Sequence, residues 1–391
     1  MRKLIVLFLA VTTVATMYAT DGTTFTKITA WSEALDMAKA TGKPIFLDAY
    51  TDWCGWCKKM DKETFSDPRV AEVMNASFVC VKMEMETGEG IDVSMKYRIS
   101  GFPLFMVFSP DGIPTYRSSG YQPAEPWLAT LADMKDPAKK LHAPGITAPV
   151  RLAWPEWHRA SYGKGNTRKF PDTAVVRAWL AACPESDRFN EVAWSIIVRY
   201  DIGEKWESWA FANEAEFKSR YGDEVDALHE RASQRYFQMA VAKKDPTLLD
   251  KAASYAKSSS PAEAEHFHLR LDAMYNQRVG NWAGVGGAVR HMAEKSNSAE
   301  YATEINEYSW SIYEKSSDPS AIADATWAMG RITAGNSPDW ANLDTYAALL
   351  YKGGKLTEAG SAAQRAIDIG KAAGADVSET EALLVKIKAG K

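Results

Sequence analysis

Cys54-Gly55-Trp56-Cys57 sets two thiols two residues apart, close enough to close into a small disulfide ring. If a helix begins at this point, its unpaired N–H groups and dipole favour a thiolate on Cys54 and lower its pKa below that of free cysteine. Cys54 is then the attacking group. It would open a substrate disulfide as a mixed disulfide, and Cys57, one turn inside the helix, would attack that intermediate and release the reduced substrate. Run backwards, the same pair oxidises a dithiol. The exchange needs no cofactor beyond the cysteine pair and no metal. A CxxC pair is also half a zinc site or a structural disulfide. A zinc site requires two further ligands, yet the nearest cysteine is Cys80 on a strand-like run and the first histidine is His142. A structural bridge over so short a loop gains little chain entropy.

The elements around the pair must position it. Trp31, Ala34, Leu35 and Ala38 keep helical spacing up to the turn Gly42-Lys43-Pro44, and Ile45–Tyr50 is an apolar run of strand length with Asp48 embedded in it. An unpaired carboxylate buried there would have a raised pKa, as a proton carrier needs, although a satisfied structural acid fits the same position. Trp53–Met60 opens a helix broken near Ser66-Asp67-Pro68, after which Val70, Val73 and Met74 resume helical spacing. Phe78–Met83 and Leu104–Phe108 read as strands, the second closed by the turn Ser109-Pro110-Asp111-Gly112, with a short strand over Ile113–Tyr116 and a last helix over Pro123–Met134. The result is an α/β sandwich around a small sheet. Cys80, between Val79 and Val81, reads as a buried small hydrophobe, and Cys183 lies at a helix end. Lys58 either lends its charge to the thiols or is a solvated helix-face lysine.

The block Asp48-Ala49-Tyr50-Thr51-Asp52-Trp53-Cys54-Gly55-Trp56-Cys57-Lys58 resembles a thioredoxin-family active site. Gly101-Phe102-Pro103 is similar to that family's cis-proline segment, which implies that Pro103 lies against the cysteines and, with Phe102, helps form the substrate-docking surface. The resemblance also implies a proton-transfer role for Asp48 toward Cys57, and places Trp53, Gly55, Trp56 and Lys58 around the site. Lys62-Glu63-Thr64-Phe65-Ser66-Asp67-Pro68-Arg69-Val70 is more specific, and resembles the periplasmic C-terminal thioredoxin-like domain of bacterial thiol:disulfide interchange proteins. The likeness spans residues 24–135. It departs from ordinary thioredoxins at Trp56, which stands where they carry proline, so no redox potential is carried over. A reducing role would also call for a separate membrane electron-donor protein or carrier.

Residues 136–171 turn irregular and read as a linker that packs, since Leu152, Trp154 and Trp157 are costly to expose. From 172 to 391 helix follows helix. Asn190–Ile196 is echoed by Asn306–Ile312, and Tyr346–Ile367 resembles one tetratricopeptide unit, with small residues at Ala347, Ala359 and Ala366 and a turn at Gly354. A helical-hairpin, tetratricopeptide-like domain is expected, against an unrelated helical bundle. Its aromatic residues are core stripes or line a concave protein-binding surface. Gly284-Val285-Gly286-Gly287 lacks the lysine and preceding strand of a phosphate loop and reads as a close helix contact or turn. Glu265-His266-Phe267-His268 lacks the histidine spacing of a metalloprotease helix.

Arg2 and Lys3 before the apolar run Leu4–Val11, then small residues up to Ala19, read as a signal peptide over residues 1–19 that exports the chain to the periplasm or beyond. In 391 residues, 46 Lys+Arg against 50 Asp+Glu leave a formal charge of −4, which provides no electrostatic case for a nucleic-acid partner. Four cysteines are too few for a disulfide scaffold. The expectation is an exported bacterial protein thiol–disulfide oxidoreductase acting in redox homeostasis, as a reductase, on protein thiols and disulfides. The rival is an exported scaffold or chaperone-like protein that uses the same fold without turnover.

Overall fold

A computed structural model describes residues 22–256, 260–295, 298–334 and 339–390; the expected signal peptide, residues 1–19, lies outside them. The chain packs as two compact units that divide after Val225.

The first unit begins with a five-stranded sheet of order β1-β3-β2-β4-β5. Its strands are β1 (Thr26–Lys27), β2 (Ile45–Tyr50), β3 (Val79–Glu84), β4 (Leu104–Phe108) and β5 (Pro114–Ser119). β3 runs parallel to β1 and β2, whereas β4 is antiparallel to β2 and β5. β2 lies at the centre with both faces covered, which is why its residues are almost continuously apolar. One face carries Phe46, Cys80, Phe105 and Val107 against helices α2 (Gly55–Glu63), α3 (Pro68–Ser77) and α5 (Ala124–Lys135), whose Met60, Val70, Met74, Trp127 and Leu131 complete the core. On the other face, Trp31 of α1 (Trp31–Thr41) and Tyr97, which follows α4 (Gly90–Lys96), pack edge-on to Phe108 at 4.7 and 5.1 Å. The break between α2 and α3 has a local cause. Asp67 accepts a hydrogen bond from the Arg69 backbone N–H at 2.9 Å, and Pro68 occupies the first helical position. β5 reaches further than the expected Ile113–Tyr116. β1, two residues on the sheet edge, is too short to leave a pattern in the sequence.

Residues 136–171 lie within this unit and contain α6 (Glu156–Ala160), with Ile146, Val150, His158 and Tyr162 buried and Leu152, Trp154 and Trp157 partly so. The His158 ring bonds the Tyr200 hydroxyl at 2.9 Å and Ser195 Oγ at 3.1 Å, and burial pushes its pKa down to about 3, so it stays neutral. Helices α7 (Thr173–Ala182), α8 (Glu191–Arg199), α9 (Gly203–Ala212) and α10 (Glu214–Tyr221) complete the unit. Cys80 is buried and Cys183 partly so, and the two are not bridged to each other.

The second unit is helical throughout its described residues: α11 (Asp226–Lys243), α12 (Leu248–Ser254), α13 (Pro261–Val279), α14 (Trp282–Glu294), α15 (Ala302–Lys315), α16 (Pro319–Ile332), α17 (Trp340–Lys352), α18 (Leu356–Ala372) and α19 (Ser378–Lys388), besides a short 3-10 turn. α17 and α18 turn through Gly353 and Gly354, the latter at φ 78°, and bury Ala347, Ala359 and Ala366. The two echoed segments take different positions in their helices. Asn190 caps α8, accepting from the Ala193 N–H at 2.9 Å, whereas Asn306 lies inside α15. Gly284–Gly287 belong to α14, where Gly286 faces the backbone of Ala321 on α16. Among the described residues, no helix is long and apolar enough to cross a membrane.

Candidate active site

Cys54 is the N-cap residue of α2 and is joined to Cys57 by a disulfide. Its extended backbone ends the loop from β2, its own N–H donates to Thr51 O at 3.1 Å, and the Cys57 N–H donates to Cys54 Sγ at 3.0 Å. One of the helix's orphan donors is thus spent on the sulfur, the arrangement that favours a thiolate once the bridge opens. Both cysteines are nearly buried, while the flanking Trp53 and Trp56 are 59% and 58% exposed.

The two indoles are held differently. Trp56 lies against Tyr121 with ring centres 5.6 Å apart, and Lys59 covers both rings. Trp53 meets Phe102 edge-on at 6.1 Å and donates its indole N–H to Glu86 at 2.9 Å. Phe102 precedes Pro103 through a cis peptide bond, and Pro103 is buried at the start of β4. Gly55 and Lys58 are exposed on the first turns of α2.

Asp48 is buried but not unpaired, which corrects the expectation from the sequence. Parallel pairing of β2 with β3 sets it beside Lys82, and Asp48 Oδ2 lies 2.9 Å from Lys82 Nζ. Lys82 also pairs with Asp61, one turn beyond Cys57 on the same face of α2. This three-residue bridge ties the central strand to the helix that carries the thiols. Among the described residues, Asp48 Oδ1 is buried without a hydrogen-bond partner. Burial outweighs the attraction of Lys82 and pushes the Asp48 carboxyl up to about 6. For Lys82, burial works downward, but the two carboxylates prevail and its pKa is raised.

Four residues of this region carry no distinctive motif: Lys82, Asp61, Glu86 and Arg168. Lys82 left a faint signal as a cation inside an apolar strand, on the face of Cys80 by two-residue periodicity. Its partnership with Asp48 depends on strand register, which the sequence does not state. Glu86 and Arg168 are 82 residues apart and form an ion pair.

The sequence comparisons agree with this architecture. Residues 23–142 match the family model Thioredox_DsbH, described as a protein of unknown function, DUF255. The thiol:disulfide interchange protein DsbD of Salmonella typhi is 36% identical over 101 residues, and that of Escherichia coli K12 is 35% identical over 101 residues. Each match takes in 25% of this chain and 18% of the relative, so the chain spans less than a fifth of those proteins. The solution structure of a candidate disulphide-isomerase from Bacteroides thetaiotaomicron is 34% identical, covering 30% of this chain and 96% of that one with a TM-score of 0.28. The segment 23–142 thus has a thioredoxin-like architecture, is similar to the DsbH-type family model and to the matched part of DsbD, carries a Cys54–Cys57 disulfide, and is set ahead of an all-helical region.

Proposed function

We propose that the protein is an exported thiol–disulfide oxidoreductase that reduces disulfides of other proteins. The observation that carries the reading is the Cys54–Cys57 disulfide at the N-terminus of α2, with the Cys57 N–H on Cys54 Sγ and two exposed tryptophans beside it. Likeness to the interchange proteins supports disulfide exchange, and the reducing direction we assign to it calls for electrons from a separate membrane donor. The signal-like residues Arg2 to Ala19 favour export.

An electron donor first reduces the bridge to two thiols. Cys54 thiolate attacks one sulfur of a substrate disulfide, forming a mixed disulfide and expelling the other substrate sulfur as a thiolate that takes up a proton. Cys57 then gives its proton to Asp48 and attacks Cys54 Sγ, which re-forms the Cys54–Cys57 bridge and expels the second substrate sulfur as a thiolate that takes up a proton, while Asp48 releases the one it received. Two electrons pass to the substrate. In this scheme Cys54 is the nucleophile, Cys57 the resolving thiol and Asp48 the proton carrier, while Pro103, Phe102, Trp53, Gly55, Trp56 and Lys58 form the docking surface. No further cofactor takes part, and the helical region selects or orients the protein partner.

The test is the equilibrium reduction potential of the pair in the purified mature chain, read by mass after thiol trapping across a dithiothreitol series. A value near roughly −270 mV supports a reductase, whereas one near about −120 mV marks an oxidant. Cys54→Ser should abolish disulfide exchange and leave the fold intact. A pair that does not cycle, in a chain that still binds its partner, would point instead to a scaffold.

A further inference from the structure

The tryptophan that precedes the attacking cysteine is held from outside the thioredoxin-like segment. Glu86, in the loop after β3, is buried and uses both carboxylate oxygens: Oε2 accepts the Trp53 indole N–H at 2.9 Å, and Oε1 pairs with the Arg168 guanidinium. Arg168 lies 26 residues beyond the end of the matched segment at residue 142. It is itself oriented, since its Nε donates to Gly163 O at 2.8 Å. The same stretch reaches the active-site loop a second time, where Lys164 Nζ lies 3.5 Å from Asp52, the residue before Trp53. Thr167 fixes that turn by donating to Lys164 O at 2.6 Å. Upstream, Arg159 pairs with Asp92 at 2.5 Å and donates to Gly88 O at 3.2 Å, which anchors the segment to the Glu86 loop from the other side.

We propose that Arg168 is a positioning residue for the active site, acting through Glu86 to hold Trp53 upright as part of the surface on which a protein substrate docks. The physical case rests on what a large exposed indole does when free. Trp53 is 59% exposed and, among the described residues, is held by the Glu86 carboxylate and the edge of Phe102. A carboxylate without its cation would be a buried charge lacking compensation, and the Glu86 loop would move to hydrate it. The indole would then lose its fixed acceptor, and a docking partner would have to order the ring at its own entropic expense. A small disulfide, which needs only the sulfur, would not sense the change. The loss should thus appear in KM for a protein and not in kcat.

This inference rests on the oxidoreductase reading for its kinetic half, and its spectroscopic half is independent of activity. The full mature chain, its Arg168→Gln and Arg168→Lys variants and the double variant Arg168→Gln with Glu86→Gln would be compared by the indole 15N–1H resonance of Trp53, assigned by its disappearance in Trp53→Phe. Arg168→Gln should shift and broaden that resonance while other indoles stay in place, and Arg168→Lys should restore it. With dithiothreitol as donor, Arg168→Gln should raise KM for insulin about fivefold and keep kcat within about twofold, and the pre-reduced variant, freed of donor, should react with 5,5′-dithiobis(2-nitrobenzoate) at the wild-type rate. Should Arg168→Gln loosen the fold, adding Glu86→Gln to it, which removes the uncompensated charge and keeps an oxygen for the indole, must recover both the Trp53 resonance and the wild-type KM for insulin. An unmoved Trp53 resonance, or an equal loss on both substrates, would overturn the proposal. A Trp53 resonance shifted by Arg168→Gln, with a wild-type chain that reduces neither substrate, would uphold the positioning and overturn the oxidoreductase reading.

Discussion

At the scale of single residues, Asp48 carries the sharpest expectation. Its carboxyl is raised from the ordinary 3.8 to about 6, so the folded state holds the proton more tightly than the unfolded one. Below the unfolded value both states are protonated and the group has no effect. As pH rises through the folded value the carboxylate must ionise in a buried site, and stability falls to a level that then stays constant. The shift is worth about 3 kcal/mol at most. Asp48→Asn should therefore stabilise the chain at pH 8 by about 1–3 kcal/mol, the lower end allowing for Lys82 being left with Asp61 alone, and by much less at pH 4. Urea unfolding at the two pH values checks this, and equal effects at both would sink the assignment. The same variant should slow resolution of the mixed disulfide by about 10²-fold if Asp48 is the proton carrier. Cys54 and Cys57 could be read from their two-residue spacing, and Asp48 and Pro103 from the resemblance of the motifs around them to a thioredoxin active site. Lys82 and Arg168 could not, since their importance comes from strand register and from the path of an irregular segment.

At the scale of elements, the glycines of α14 separate packing from propensity. Gly286 and Gly287 are neighbours in one helix, so their helical propensities are the same. A methyl group on Gly286 would lie 2.7 Å from the backbone Cα of Ala321, whereas one on Gly287 would meet, beyond the backbone of its own helix, none of the described residues within 4 Å. Gly287→Ala should stabilise the helical unit by about 0.5–1 kcal/mol through propensity alone. Gly286→Ala gains the same term but forces α14 away from α16, and should destabilise by about 1–3 kcal/mol before that gain is counted. Thermal unfolding of the two variants would decide it, and the same sign for both would refute the close contact. The sequence indicated that these glycines belonged to a helix contact or a turn, because no strand or lysine accompanied them. It did not say which one touched, as that depends on the rotation of α14 about its axis. The strands were legible for the converse reason: β2 and β4, buried on both faces, are almost purely apolar, while the two-residue β1 has no room for a pattern.

At the scale of the molecule, the family match and the packed unit end in different places, residue 142 and Val225. The difference has a physical content in α4 and α8. Lys96, fully buried on α4, pairs with Glu191 of α8 at 2.5 Å, and Glu191 also accepts from the Thr147 hydroxyl and N–H at 2.5 and 3.1 Å. Ser195, one turn further along α8, donates to Met95 O at 2.8 Å. Burial lowers the Lys96 pKa and Glu191 opposes that only in part, so the ammonium depends on its partner. Glu191→Gln would leave a buried cation without its counter-charge, and should cost about 3–5 kcal/mol, whereas replacing both residues by apolar ones of similar volume should cost far less. Where the loss is felt is the informative part. Cys80 is a buried thiol of the central sheet, its pKa pushed up to about 12 by burial, and it reacts with a thiol reagent only when that sheet opens. If α8 and the thioredoxin-like sheet unfold as one body, the urea midpoint for labelling Cys80 in the oxidised chain should fall together with the loss of helical signal in Glu191→Gln. A Cys80 transition that stays at its wild-type midpoint would mean that the sheet is stable without α8, and that the matched segment is the folding unit after all.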